Sequence, residues 1–247
     1  MSNNPSVIPT GFADEAANQK TATQQFAAFS AMGLQYYTIR FIDAGRGVKN
    51  VMLLTKPEIK RVCKLQDEYG LKVSSLGSPI GKVKLLDVDD KTHNPFISFK
   101  KYLKRDVQKA CDLANAFDTK LIRGFSFYHP RGTDAWDHIS LVVDQLGEVA
   151  ELCDRNGLTF GLEVEANLVG QNGALLEELH RQINHPALVT IFDAGNIVTQ
   201  GFSADDVFLQ YLQMKKGLGW MHIKDYRHPE PIQRQGHIDE AALKHFV

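Results

Sequence analysis

The chain has 247 residues, 43% hydrophobic and 23% charged, and its 28 Lys and Arg against 29 Asp and Glu give a formal net charge of −1. That balance supplies no global field to gather nucleic acid or an anionic membrane, and the length suffices for one full core, so a single domain over 1–247 is expected. The three cysteines, Cys63, Cys111 and Cys153, are widely spaced with no C-x-x-C pair, which disfavours a disulfide framework and fits a reducing cytoplasm. Residues 1–10 lack the basic and apolar regions of a leader, and no run nears the roughly 18 apolar residues of a spanning helix. A soluble, cytoplasmic protein is expected.

Apolar, β-branched runs alternate with amphipathic segments along the chain. A weak first strand is read over 7–13, ending at Asp14 and Glu15. A helix over 18–32 follows, with Phe26, Phe29 and Met32 on one face. The second strand covers 35–41. After a Gly-rich turn, 55–69 reads as a helix with a capping signature: Thr55 as N-cap, Pro57 in the first turn, Glu58 three residues on, and Gly70 as the stop. The unit then repeats. Strands are expected at 71–76, 120–127, 158–165, 188–193 and 218–224, with helices at 99–116, 136–156, 173–183, 204–215 and 239–247. Strands alternating with helices indicate parallel βαβ units, hence an α/β barrel. Seven strands are visible. An eighth strand and helix would need roughly 25 to 35 more residues, so the barrel is expected to stop before its eighth strand.

Three strand ends carry side chains that can hold a metal. Glu163 and Glu165 close the fifth strand, Asp193 the sixth, and His222 the seventh. The C-terminal ends of parallel barrel strands meet at one rim, so two carboxylates and an imidazole converge there without a compact local motif. Such a set is hard to intermediate and suits Mn²⁺, Mg²⁺, Co²⁺ or Zn²⁺, one ion per chain. Glu163 and Glu165 have the same strand parity, and either can enter the barrel mouth. Lys224 shares parity with His222. It either polarises a carbonyl and holds an anionic group of the substrate, or forms a salt bridge with Asp225 or Glu165. Arg40 and Arg123 also end strands, and each either binds substrate oxygens or ties rim carboxylates together. His93, His129, His228 and His237 fall in loops and read as surface residues. The turn at Gly45 and Gly47 lacks the third glycine of a dinucleotide fingerprint, and Ser78 and Ser126 lack a nucleophile-elbow context.

The order of motifs is informative in a second way. Ala13-Asp14-Glu15-Ala16, Tyr37-Thr38-Ile39-Arg40, Gly77-Ser78-Pro79-Ile80-Gly81-Lys82, Leu162-Glu163-Val164, Asp193-Ala194-Gly195-Asn196 and His222-Ile223-Lys224-Asp225 occur in sequence. From Gly11 onward this resembles the sugar isomerase/epimerase superfamily with the xylose-isomerase-like TIM barrel, which includes ketose 3-epimerases and inosose dehydratases. The resemblance implies a (β/α)8 fold in which one divalent metal is held by Glu163, Asp193 and His222, with a fourth carboxylate from an eighth strand beyond Val247. Glu165 is then left to the substrate or to supporting the ligands. Glu163, Glu165 and Lys224 are the catalytic candidates, and Arg40, Lys82, Arg123, Asn196 and Asp225 the substrate-binding ones. The implied activity is isomerisation or epimerisation of a small carbohydrate or polyol derivative by proton abstraction through an enediolate. Dehydration of an inosose-type substrate and a non-catalytic sugar-binding barrel are the alternatives. No nucleic-acid or membrane partner is expected, and a homo-oligomer is compatible with this reading.

Overall fold

The computed structural model describes residues 7–226. After a 3₁₀ turn at Ala13–Glu15 come α1 (Ala22–Ala31), β1 (Tyr36–Ile39), β2 (Phe41–Asp43), β3 (Val48–Asn50), α2 (Lys56–Glu68) and β4 (Lys72–Gly77). Then follow α3 (Phe99–Tyr102), α4 (Gln108–Ala116), β5 (Leu121–Gly124), α5 (Ile139–Arg155) and β6 (Thr159–Glu163). The last elements are α6 (Gly173–Ile183), β7 (Leu188–Asp193), α7 (Ala194–Val198), α8 (Ala204–Met214) and β8 (Leu218–His222). The alternation is that of an α/β fold, and no helix among the described residues is long and apolar enough to cross a membrane. The residues form two compact units, one running to Ser78 and including Lys109–Ile122, the other made of Pro79–Gln108 and the chain from Arg123.

In the first unit β1 and β4 pair in parallel, Tyr37 opposite Val73 and Ile39 opposite Leu76. The strand expected over 7–13 is reduced to one parallel bridge between Phe12 and Thr38, with the Gly11 carbonyl accepting the Thr38 N–H at 2.7 Å. The reason is burial: Val7 and Ile8 are 92% and 58% exposed, so they offer no apolar face to hold a longer ladder, and Pro9 has no N–H to give. The expected second strand also ends early, at Ile39. The Gly-rich stretch after it folds as an antiparallel hairpin, β2 with β3, whose turn is tied by Asp43 Oδ1 accepting from the N–H groups of Gly45 and Arg46 at 2.7 and 2.9 Å. Phe26 and Phe29 pack on Tyr37, whose hydroxyl donates to Gln66 Oε1 at 2.8 Å in the core.

The cap of α2 is as its sequence indicates. Glu58 accepts from the Thr55 N–H at 2.8 Å and the Thr55 hydroxyl at 2.7 Å, and Gly70 stops the helix with φ +66°. Lys49 adds an ion pair at 2.6 Å. The Lys49 ammonium, followed by the two Thr55 donors, pushes the Glu58 carboxyl down to about 2 from its ordinary 4.5. A carboxyl depressed in the folded state stabilises above its unfolded value and loses that contribution as pH falls through the folded one. Glu58→Gln should therefore be less stable than the parent at neutral pH, with the gap closing between about pH 4.5 and pH 2. Urea denaturation across that range tests it; a gap that persists undiminished at pH 2 would show that the carboxylate is not its source.

In the second unit β6, β7 and β8 pair in parallel, with Glu163 opposite Ile191 and Asp193 opposite His222. The connections run through α6 and α8, as expected for βαβ units. Along α5, Val142, Leu146, Val149 and Cys153 form a buried stripe at helical spacing. The helix expected over 99–116 is present as α3, a π-turn at Leu103–Val107, and α4. Gly81 positions the segment before α3. It sits at φ +91°, its N–H donates to the Tyr102 hydroxyl at 2.8 Å, and an added Cβ would strike the Phe125 carbonyl. Only glycine allows that approach. The expected helix over 239–247 lies outside the described residues.

Candidate metal centre

Glu163 is the last residue of β6, Asp193 of β7 and His222 of β8, so the sheet register alone brings three strand ends side by side. Their ligand atoms lie within 4.8 Å of one another. His222 Nδ1 stands 2.9 Å from Glu163 Oε1 and 3.3 Å from Asp193 Oδ2. Glu163 is 3% and Asp193 0% exposed, and buried carboxylates are stable only when paired or bound to a cation.

The pairing is visible on every side. Arg123 Nε reaches Glu163 Oε2 at 3.1 Å, and Lys224 Nζ reaches Asp193 Oδ2 at 2.6 Å. Burial alone would raise the Glu163 carboxyl, but the charges of Arg123 and His222 hold it well below the usual carboxylate range. Burial pulls His222 and Lys224 down; the facing carboxylates outweigh it, Glu163 foremost for His222 and Asp193 for Lys224, and leave both above their ordinary values. An imidazolium proton therefore stabilises the gap between two carboxylates. Two carboxylate oxygens with one imidazole nitrogen are a donor set of the kind that suits Mn²⁺, Mg²⁺, Co²⁺ or Zn²⁺.

Asn196 organises the back of this cluster. Its N–H donates to Asp193 Oδ1 at 3.0 Å, making Asp193 the N-cap of α7. Its side-chain Nδ2 donates to the Val164 carbonyl at 3.0 Å and Glu163 Oε1 at 3.2 Å and reaches Glu165 Oε2 at 3.5 Å, while its Oδ1 accepts from Lys224 at 2.9 Å. One amide thus contacts both carboxylates of β6 and its following loop, and Lys224 as well. The strand expected over 158–165 ends at Glu163, so Glu165 lies in the loop beyond it, where it meets Lys82 at 3.2 Å. Lys82 Nζ and Arg123 Cζ lie 4.5 and 4.7 Å from the centre of the Phe125 ring.

Of the sequence-derived candidates, the second unit brings Lys82, Arg123, Glu163, Glu165, Asp193, Asn196, His222 and Lys224 into one network. Asp225, the next residue, is exposed and makes no hydrogen bond or ion pair among the described residues. Arg40 belongs to the first unit, where it lies over the Phe12 ring and pairs with Asp14 at 2.8 Å and Glu15 at 2.7 Å. Lys224 pairs with Asp193 rather than with Asp225. His93 is exposed, His129 approaches Thr133 at 3.3 Å, and His228 and His237 lie outside the described residues. What the sequence reading missed is α7. Its signal was the Asp-x-x-Asn spacing of Asp193 and Asn196, a carboxylate cap with its N3 residue.

Comparison with known proteins adds a family and a fold. The family described as "Xylose isomerase-like TIM barrel" matches residues 26–247. No curated protein matches the sequence. Among solved structures, the probable 3-DHS dehydratase of Bacillus anthracis superposes with a TM-score of 0.66 at 16% identity, over 90% of this chain and 74% of that one. A D-psicose 3-epimerase of Clostridium cellulolyticum H10, solved with D-tagatose, gives 0.62 at 14% identity, over 86% and 72%. A xylose isomerase-like barrel protein of Mycobacterium smegmatis in complex with magnesium gives 0.64 at 15%, over 89% and 74%. At these identities the structures share the fold.

Proposed function

We propose, from the premise that the chain belongs to the xylose isomerase-like TIM-barrel family, that it is a divalent-metal-dependent isomerase or epimerase of a small sugar or polyol derivative. The observation that carries this reading is the convergence of Glu163, Asp193 and His222, two of them fully buried, on one set of strand ends. Solved neighbours that include a ketose 3-epimerase and a magnesium complex support it.

Glu163, Asp193 and His222 would hold the ion, which would supply Lewis-acid polarisation of substrate oxygen and so make a neighbouring C–H bond more acidic. The residues of the chain supply the rest. Glu163 is the proton acceptor at Oε1, held in orientation by Asn196 and kept ionised by Arg123. In this reading Glu165, its side chain 17% exposed beside Lys82, receives or returns a proton. Lys224 offers its ammonium to a substrate oxygen on which negative charge develops.

The test is solvent exchange. Manganese-loaded protein incubated in D₂O with ketohexoses and inososes should place deuterium on the carbon next to the carbonyl of the compound it converts, read by NMR. Turnover with no solvent label in the product would count against an exchanging proton-abstraction route and favour a hydride shift or a proton returned by a fully shielded base.

A further inference from the structure

Each buried carboxylate of the centre turns one oxygen towards His222 and gives the other to a fixed donor or cation of the protein. Glu163 Oε1 stands 2.9 Å from His222 Nδ1 and accepts from Asn196 Nδ2 at 3.2 Å, while Oε2 lies 3.1 Å from Arg123 Nε. Asp193 Oδ2 stands 3.3 Å from the same Nδ1 and 2.6 Å from Lys224 Nζ, while Oδ1 accepts the Asn196 N–H at 3.0 Å as the cap of α7. Oε1 and Oδ2 are thus the two oxygens that share His222 as a neighbour, one from each carboxylate.

The cations on these oxygens differ in their freedom to leave. Lys224, on Oδ2, has a side chain 39% exposed and a flexible stem, so its ammonium can withdraw into water when an ion takes its place. Arg123, on Oε2, is shut in: its side chain is 9% exposed and its guanidinium lies 4.7 Å from the centre of the buried Phe125 ring. A guanidinium keeps its charge at any working pH, so Oε2 has a positive neighbour whether or not an ion is bound. Ligation through both Glu163 oxygens would set a divalent ion and a guanidinium against one oxygen in a site shielded from water, where like charges repel strongly. Denticity in turn sorts ions by size. Ca²⁺ gathers roughly six to eight oxygens and often takes both from one carboxylate, whereas Mg²⁺ and Zn²⁺ hold fewer ligands at shorter range.

We infer that Arg123 sets the ion preference of the centre: by holding Glu163 Oε2 it confines Glu163 to ligation through Oε1, and so favours small ions such as Mn²⁺ over Ca²⁺. This rests on the metal-dependent reading above. The test is the ratio of Mn²⁺ to Ca²⁺ affinity, with Mn²⁺ titrated by electron paramagnetic resonance and Ca²⁺ measured by competition against it. Removing a positive charge strengthens both divalent ions alike, so that effect cancels in the ratio and denticity remains. Whatever residues beyond 226 add to the centre is common to parent and variant and cancels as well. The parent should prefer Mn²⁺ by about a hundredfold or more, and Arg123→Met should cut that preference by about tenfold, the scale on which partners of a ligand act. Lys82→Met is the control: it removes a cation that pairs with Glu165 and leaves the Glu163 oxygens as they are, so its ratio should stay within about twofold of the parent. The infrared carboxylate bands of the Mn²⁺-loaded parent, with its glutamates ¹³C-labelled, give a reading that needs no variant; one-oxygen ligation widens the separation of the antisymmetric and symmetric stretches, and two-oxygen ligation narrows it. A ratio unchanged in Arg123→Met, an equal fall in Lys82→Met, a parent that holds Ca²⁺ as tightly as Mn²⁺, or a narrowed separation in the parent would each overturn the inference and leave the metal reading standing. Failure of the parent to bind Mn²⁺ at all would sink the metal reading, and this inference with it.

Discussion

Asp193→Asn and His222→Ala should each weaken divalent-metal binding by at least about a hundredfold, since even indirect supports of a ligand are worth tenfold to a hundredfold. The asparagine variant is the more telling. Asp193 has two tasks, one oxygen capping α7 through the Asn196 N–H and the other facing His222 and Lys224. Asparagine caps a helix about as well as aspartate, so the fold should survive while the charge is lost. Glu178→Ala is the control. That carboxylate pairs with Arg181 on α6 and has no part in the centre. Elemental analysis after dialysis, with Mn²⁺ titration for affinity, reads the outcome. Unchanged metal content in both variants would mean that the cluster is a structural ion-pair network and nothing more.

Much of this was legible before any coordinates, and the parts that were not share a cause. Runs with strong period or strong caps came through: Gly173–Ile183 and Leu188–Asp193 have the bounds that their patterns suggest, and Thr55 with Glu58 marks the start of α2. Glu163, Asp193 and His222 were legible because a parallel sheet converts position along the chain into proximity at one edge. Local pattern failed where long-range burial decides. The 7–13 segment has the residues of a strand but not the burial, and the Gly-rich stretch after 41 reads as a turn yet forms a hairpin closed on Asp43. The roles of Arg123 and Lys224 stayed open for the same reason. Strand parity gives the face on which a side chain stands, not which of several carboxylates it meets.

Arg123→Met offers a way to settle what that arginine does. It removes the guanidinium that faces Glu163 Oε2 while keeping an unbranched stem, so a carboxylate 3% exposed loses the first of the cations that keep it ionised. Breaking a buried pair on one side costs about 3 to 5 kcal/mol, because the remaining charge stays buried. The lower end, about 3 kcal/mol, is expected here, since His222 and Asn196 still contact Oε1. Urea denaturation of the metal-free proteins should show that loss. A divalent ion replaces the missing positive charge, so the variant should gain more from Mn²⁺ than the parent does and the stability gap should narrow as the ion saturates. A guanidinium acting only on substrate would leave metal-free stability within about 0.5 kcal/mol of the parent, as for an ordinary surface change. A gap that appears without metal and stays the same size with it would mean that Arg123 stabilises the unit by some route other than neutralising Glu163.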